Sequence, residues 1–265
     1  MAVKVSIIII TKNQRGILEK SVPAILKQKV DFKFEVIVVD SGSTDGAIQF
    51  LKKQKVRLIQ IKPEEFGYAK AFNIGARKAG GGILVRLSGD VIPLEDNWLE
   101  EIVTDLGRPK VGAVYGKYTI SGRKGYAYPN FWPARRFGKK KEVFSIANPF
   151  FIFGRTKKAT TLAGACFSTK REFWEKRNFN ELTIEGEDAD YAFYLHLLGY
   201  DVVYNPKAMV LHEHLISRNR PDLWSYLIFF RGVAKWQLVL WWEFLKLWYK
   251  RFFTQEFKDV VFVRN

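Results

Sequence analysis

The stretch Phe34-Glu35-Val36-Ile37-Val38-Val39-Asp40-Ser41-Gly42-Ser43-Thr44-Asp45-Gly46 reads as a strand that runs into a turn and then a helix. Val36 to Val39 is an unbroken β-branched run with no polar alternate, so both of its faces need cover. A carboxylate, Asp40, closes the run, and serine, glycine and aspartate follow at once, which is turn chemistry. Ser43 or Thr44 is expected to cap the next helix. Asp40 has two readings: it closes the turn, or it accepts hydrogen bonds from the base or ribose of a nucleotide, with the helix N-terminus adding donors for anions.

The same grammar repeats on either side. Val3 to Ile10 is a strand, and residues 16–29 have a helical pattern that Pro23 should kink or break. Val56 to Ile61 is a third strand. A helix is expected from Gly67 to Lys78, stopped by Gly80-Gly81-Gly82. A fourth strand, Ile83 to Leu87, ends at Ser88-Gly89-Asp90. Strands alternating with helices of this length predict an α/β fold with a mostly parallel central sheet. In such sheets ligands bind beyond the carboxyl ends of the strands, where Asp40 and Asp90 both fall.

From Lys117 to Lys158 the periodicity is lost among glycine, aromatics and cations, including Tyr126, Tyr128, Phe131, Trp132, Arg135, Arg136 and Lys139 to Lys141. From Tyr126 to Lys158, rings that can stack on sugar faces and cations that can meet phosphates suit an acceptor-side loop; the alternative is a solvated, partly disordered loop. Order resumes with a strand over Thr161 to Phe167, a helix over Glu187 to Leu198 capped by Gly199, and two short strands at Val202–Tyr204 and Met209–Leu211. Pro221 opens a last helical pattern. Arg231, Lys235, Glu243, Lys246 and Lys250 fall on one narrow arc of it, and the rest is largely aromatic, with Trp224, Trp241, Trp242 and Trp248 among it. Such a helix reads as an interfacial membrane anchor, or else as a homodimer interface or a helix folded back onto the domain. The expected organisation is a catalytic domain over residues 1–215, with a nucleotide-binding half to about 115 and an acceptor-side half beyond it, and an amphipathic extension over 216–265.

Composition narrows the partners. Forty-three lysines and arginines against 27 acidic residues give the 265-residue chain a net charge of +16, so it should meet anionic partners: phosphorylated small molecules, an anionic membrane surface or nucleic acid. The single cysteine, Cys166, rules out a disulfide within the chain and fits a reducing compartment. The N-terminus does not read as a signal peptide, and no stretch is long and apolar enough to span a bilayer.

The chemistry concentrates in Thr183-Ile184-Glu185-Gly186-Glu187-Asp188-Ala189-Asp190 and in Leu211-His212-Glu213-His214. Four carboxylates within six residues exceed what a helix N-terminus needs, although one alone would serve its dipole. One of them can take a hydroxyl proton as general base. In extended backbone His212 and His214 face the same side, and imidazole suits the softer divalent metals such as Mn²⁺. Asp90, at a strand end, could hold Mg²⁺ or Mn²⁺ against a diphosphate, or could be a turn aspartate.

These residues, in this order, resemble the inverting family-two glycosyltransferases with the GT-A fold, and among them the rhamnosyltransferase-like members. Val5 to Asn13 resembles the family's first strand and nucleotide loop; Val36 to Gly46 is a specific match. Phe66 to Gly75 resembles the helix before the metal strand. Leu87 to Pro93 occupies the place of the DxD motif, Gly186 to Asp190 that of the acidic catalytic motif, and Leu211 to His214 that of the metal histidine. The resemblance implies that Thr11, Asn13, Asp40 and Ser43 bind the nucleotide sugar. It implies the same for Lys70, Asn73, Ser88, Gly89 and Asp90. It further implies that Asp90, His212 and His214 hold the metal, that Asp188 is the general base, and that Glu187 is the next candidate. Ser88 stands where the motif has its first aspartate, which shifts weight onto His212. No Gln-x-x-Arg-Trp motif occurs, so single-sugar addition is expected rather than polymerisation.

The implied activity is transfer of one sugar, with inversion, from a nucleoside-diphosphate sugar to a glycan or lipid-linked acceptor, at the cytoplasmic face of the membrane. A nucleotidyltransferase would need a glycine-rich basic loop after its first strand, and Thr11 to Gly16 is a poor match. A nucleic-acid binder would need a basic stripe on a known module; the cations here are dispersed, so no nucleic-acid partner is expected.

Overall fold

The computed structural model describes residues 4–120, 139–145, 162–182, 186–213, 242 and 245. The chain divides into two compact units, Met1–Ile216 and Ser217–Asn265. In the second, Trp242 and Leu245 are described; both are helical and exposed. Among the described residues no helix is long and apolar enough to cross a membrane.

The first unit is built on a sheet whose strands are β1 (Val5–Thr11), β2 (Phe34–Asp40), β3 (Arg57–Gln60), β4 (Ile83–Ser88), β5 (Val91–Pro93), β6 (Val111–Ile120), β7 (Glu142–Phe144), β8 (Cys166–Lys170) and β9 (Asp201–His212). Their order is β3-β2-β1-β4-β8-β6-β9-β5, with β7 also on β9. Helices α1 (Arg15–Leu26), α2 (Ala47–Leu51) and α4 (Trp98–Val103) cover one face, with Leu18, Val22, Leu51, Trp98 and Ile102 packed on Val5, Ile7, Ile9, Val36 and Val38. Helices α3 (Tyr68–Lys78), α5 (Arg171–Lys176) and α6 (Glu187–Leu197) cover the other, where Phe72, Phe173, Trp174, Tyr191 and Leu195 pack on Ile8, Ile10, Leu84 and Phe167. Cover on both faces explains why the central strands are apolar without alternation.

The sheet is parallel through β3, β2, β1 and β4, as expected from the sequence. It turns mixed at β8, which runs antiparallel to both β4 and β6. This arrangement puts the start of β8 at the same edge as the ends of β1, β2, β4, β6 and β9. Register fixes that edge: Thr11 lies beside Asp40, Ile10 beside Ser88, Leu87 beside Cys166 and Ile120 beside His212.

Several local expectations need correction. Helix α1 continues through Pro23, whose carbonyl still accepts from the Lys27 N–H at 3.1 Å. Neither Ser43 nor Thr44 caps α2. The Ala47 N–H bonds Asp45 Oδ1 at 3.0 Å, and the Ser43 hydroxyl turns back to Asp40. Lys117 to Ile120 completes β6, and Glu142 to Phe144 forms β7, inside the stretch read as patternless. The strand expected over Thr161 to Phe167 lies at Cys166–Lys170. The two short strands near residues 202 and 210 are one strand, β9, whose pairing with β6 shifts register between Gly116 and Lys117. Pro206, with no N–H for a ladder, lies in the skipped part, which is why sequence pattern split the strand.

Candidate active site

The site is assembled from loops at the carboxyl edge of the sheet. The loops after β1 and β2 are joined to each other. Asn13 adopts the left-handed conformation (φ 53°), which asparagine tolerates better than most residues. Its N–H donates to Ser43 Oγ at 2.8 Å, and its Oδ1 accepts the Thr44 N–H at 2.7 Å. The Arg15 N–H reaches Asp45 Oδ2 at 2.8 Å. Asp40 is fully buried; its Oδ1 accepts the N–H groups of Gly42 and Ser43 at 3.0 and 2.9 Å, and its Oδ2 accepts the Ser43 hydroxyl. Of its two readings, the turn-closing one describes these contacts. Asp40 shapes the loop that a nucleotide would meet.

Thr11 is buried at the end of β1, and among the described residues its Oγ1 has no hydrogen-bond partner. Gly89 packs directly on it, with its N–H on the Ile10 carbonyl at 2.8 Å. A Cβ at position 89 would come within 2.5 Å of Thr11 Oγ1, so only glycine fits between Ser88 and Asp90. That close approach delivers Asp90 to the edge. There its Oδ2 lies 3.2 Å from His212 Nε2, while its carbonyl accepts the Glu213 N–H at 2.9 Å. Pairing of Val91 with His212 in the β5–β9 ladder holds this convergence. His214, Glu185 and the acceptor-side residues Tyr126, Tyr128, Phe131, Trp132, Arg135 and Arg136 lie outside the described residues.

The acidic segment splits into three roles. Asp190 is buried and takes Arg177 Nη2 on both oxygens, at 3.0 and 2.9 Å, so it anchors α6 to the chain after α5. Glu187 is buried against Arg86, with Oε1 2.6 Å from Nη1. Its carboxylate is thus paired with a buried cation, whereas that of Asp188 accepts only backbone N–H groups among the described residues. Asp188 is partly buried and lies against the loop at Gly164. Its Oδ2 accepts the Gly164 N–H at 2.7 Å and its Oδ1 the Ala189 N–H at 2.8 Å. Burial, then the neighbouring Glu187 charge, push its carboxyl up to about 6, against a smaller pull from Arg86 and the two N–H groups.

Helix α3 carries two of the expected donor contacts. Asn73 is fully buried. Its Nδ2 donates to the Phe179 carbonyl and Glu181 Oε1 at 2.8 and 2.9 Å, and its Oδ1 accepts Trp174 Nε1 and the Phe179 N–H at 2.9 and 3.2 Å. These partners fill its donors and acceptor and tie α3 to the segment from Trp174 to Glu181. Lys70, one turn earlier, is partly buried in the first turn of α3.

Two residues that sequence reasoning passed over tie the site together. The Tyr118 hydroxyl oxygen accepts the N–H groups of Ala165 and Cys166, both at 3.1 Å, and its ring meets His212 edge-on, centroids 5.6 Å apart. Burial, with Cys166 and Asp188 nearby, holds its phenol well above the usual range. The Ala165 carbonyl accepts the Ser88 N–H at 2.9 Å. Residues 164–166 therefore touch the Asp90 strand end, the His212 side and Asp188 together. Arg86 is the second. A cation inside a doubly covered strand demands a partner, and that was its signal in the sequence.

Among the described residues no three His, Cys, Asp or Glu side chains gather into a ready metal site. Asp90 and His212 offer one oxygen and one nitrogen donor. That set fits a divalent ion completed by phosphate oxygens and water, as Mg²⁺ and Mn²⁺ are commonly held.

A family model described as Glycosyl transferase family 2 matches residues 6–177. The O-antigen biosynthesis protein RfbC of Myxococcus xanthus is 29% identical over 231 residues, covering 81% of this chain and 18% of that protein. The O-antigen chain rhamnosyltransferase RfbN of Salmonella typhimurium is 26% identical over 215 residues, covering 80% of this chain and 67% of its own. The chain thus spans less than a fifth of the Myxococcus protein and a quarter of the uncharacterized protein y4gI of Sinorhizobium fredii. Among solved structures, the mannosyltransferase PcManGT from Pyrobaculum calidifontis in complex with GDP-Man and Mn²⁺ aligns with a TM-score of 0.57 at 23% identity, over 80% of this chain and 57% of that one. Staphylococcus aureus TarS 1-349 in complex with UDP aligns with a TM-score of 0.59 at 19% identity, over 80% and 60%. The fold is that of the GT-A glycosyltransferases.

Proposed function

Because the chain belongs to glycosyl transferase family 2, we propose that it transfers one sugar from a nucleoside-diphosphate sugar to an acceptor hydroxyl, with inversion, in cell-surface polysaccharide assembly. The observation that carries the reading is the convergence of Asp90 and His212, at 3.2 Å, on the same edge where residues 164–166 reach Asp188. The names of RfbC and RfbN support the polysaccharide context.

Asp188 takes the proton of the acceptor hydroxyl as its oxygen attacks the anomeric carbon. The bond from that carbon to the diphosphate oxygen breaks in the same displacement, so the configuration inverts. A carboxyl held near 6 is half ionised close to the working range, which suits a general base. The Gly164 and Ala189 N–H groups fix its orientation. A divalent cation, held by Asp90 and His212, would neutralise charge on the departing nucleoside diphosphate. The mixed oxygen and nitrogen donors favour Mn²⁺ over Mg²⁺. The loops carrying Asn13, Asp40 and Ser43 would receive the nucleotide, with Thr11 Oγ1 and the Gly89 backbone beside the diphosphate.

The aromatic extension over 216–265 lies on anionic lipid at the cytoplasmic face in this reading, near a lipid-linked acceptor. The exposed Trp242 and Leu245, three apart on a helix, support it. Flotation with phosphatidylglycerol vesicles tests it: chain lacking 216–265 should stay unbound. A salt-insensitive homodimer lost with the same deletion favours the alternative.

The experiment for the activity is thermal shift against GDP-mannose, UDP-N-acetylglucosamine and a nucleoside-diphosphate rhamnose, each with and without Mn²⁺. A hit is then followed by release of the nucleoside diphosphate in the presence of acceptor. Stabilisation by one of these sugars only when Mn²⁺ is present is expected. No response to any nucleotide or nucleotide sugar overturns the reading.

A further inference from the structure

Arg86 is the one residue of β4 whose chemistry does not suit its place. The strand reads Ile83-Leu84-Val85-Arg86-Leu87-Ser88, and its centre is covered by helices on both faces. The Arg86 side chain is 3% exposed and its partner Glu187 6%. Burying a charge is costly, and a buried pair seldom beats an apolar pair of the same shape. The guanidinium is not even fully matched: among the described residues its Nε has no hydrogen-bond partner, and its Nη1 meets Glu187 Oε1 at 2.6 Å as a charge contact outside hydrogen-bond geometry. The rings of Tyr68 and Phe167 each lie 5.9 Å from its carbon. A fold seeking stability alone would place an aliphatic residue here.

What the pair adjoins is Asp188. Glu187 precedes it in α6, and Arg86 Nη1 approaches from β4. A Cβ built on Gly164 would lie 2.9 Å from Asp188 Oδ2 and 3.5 Å from Arg86 Nη1, so glycine lets the loop lie against both side chains at once. The titratable and charged groups set against Asp188 among the described residues are Glu187 on its own helix, Arg86 from β4 and Tyr118 from β6.

We infer that Arg86 is a positioning residue for the base: through its buried ion pair with Glu187 it sets the charge that Asp188 meets and keeps Asp188 turned onto the Gly164 loop. Glu187 raises the proton affinity of Asp188, and Arg86 lowers it. The two neighbours thus work in opposite senses, and a structural pair of no consequence to the site would not separate them. The inference rests on Asp188 being the base, as proposed above, only for its meaning in turnover; the electrostatic claim stands without it.

The test is a ¹³C NMR titration of aspartate side-chain carbons in the full chain, with the Asp188 signal assigned by its loss in Asp188→Asn. Glu187→Gln keeps the shape and leaves Arg86 in place, and should lower the Asp188 midpoint by about one pH unit. Arg86→Met should raise it by a similar amount. If Arg86→Met does not fold, the double variant R86M/E187Q leaves no unpaired buried charge, and its midpoint should lie above that of Glu187→Gln alone. Coincident midpoints in the single and double variants, or shifts of the same sign for both single variants, overturn the inference. Because the titration uses no substrate, its failure is separate from that of the base assignment, which turnover of Asp188→Asn decides.

Discussion

Asp90 and His212 meet at 3.2 Å, carboxylate Oδ2 to imidazole Nε2, although they come from distant parts of the chain. Two features make the meeting. Gly89 packs on Thr11 so closely that no side chain fits, and β5 pairs antiparallel with the end of β9. The pair should hold Mn²⁺ only weakly by itself, since it supplies two donors, and much better with a diphosphate present. Calorimetry with GDP or UDP should show affinity in Mn²⁺ falling on the order of tenfold or more for Asp90→Ala and for His212→Ala. Affinity without metal should change little. Equal loss in both conditions would mean that these residues support the loop and not a cation.

The acid Asp188 gives a pH signature. Its carboxyl is raised to about 6 in the folded chain, from an ordinary value of 3.8. Below 3.8 both folded and unfolded chains hold the proton. Between 3.8 and about 6 the folded chain holds it and the unfolded chain has lost it, so this group's contribution to stability falls as pH rises and levels off above 6. Activity runs the other way. The base form appears as pH rises, so kcat/KM should climb about tenfold per pH unit below 6 and flatten above it. Asp188→Asn should lose roughly 10²–10⁴-fold in kcat with donor affinity nearly unchanged. A variant retaining normal turnover moves the base to another residue.

Much of this was legible before the fold was seen, because the central strands are covered on both faces and advertise it. Val36 to Val39 and Ile7 to Ile10 have no polar alternate, and turn residues follow the strand ends. Asp90, Asp188 and His212 stood out as polar groups at the ends of such patterns. Tyr118 did not, because it sits in the last part of β6 where glycine and cations blur the period. Asp40 and Asn73 were legible as important but not in what sense. A buried carboxylate that closes a turn and one that holds a ribose look alike in one dimension; the structure adds the Gly42 and Ser43 N–H contacts by which Asp40 closes its turn. Glu187 looked like a spare base because its counterion, Arg86, is remote in sequence.

Asn73 offers a test of the two roles open to it, structural link and donor contact. Its side chain joins α3 to Trp174 within α5 and to Phe179 beyond it, both of which are buried. Asn73→Ala leaves the Trp174 N–H, the Phe179 N–H and the Phe179 carbonyl unpaired. Two or three such losses should destabilise by about 2–4 kcal/mol, near the upper range for point substitutions. Nucleotide affinity of the folded fraction should be unaffected. A selective loss of nucleotide binding at unchanged melting temperature would restore the donor role implied by resemblance.

Tyr118→Phe isolates the phenol oxygen. The ring keeps its edge on His212, but the Ala165 N–H loses its Tyr118 acceptor and the Cys166 N–H is left with the Ala163 carbonyl at 3.2 Å. Stranding the partly buried Ala165 donor should cost about 1–3 kcal/mol, and Tm should fall by several degrees. The stronger consequence is local. The 164–166 segment also holds Asp188 through the Gly164 N–H and Ser88 through the Ala165 carbonyl. Loosening it should therefore lower kcat and weaken Mn²⁺-dependent nucleotide binding together, whereas Asp188→Asn should lower kcat alone. Paired measurement of kcat and nucleotide affinity in the two variants separates a shared brace from a plain loss of stability: if Tyr118→Phe only melts earlier, with both constants normal at low temperature, residues 164–166 do not couple the two halves of the site.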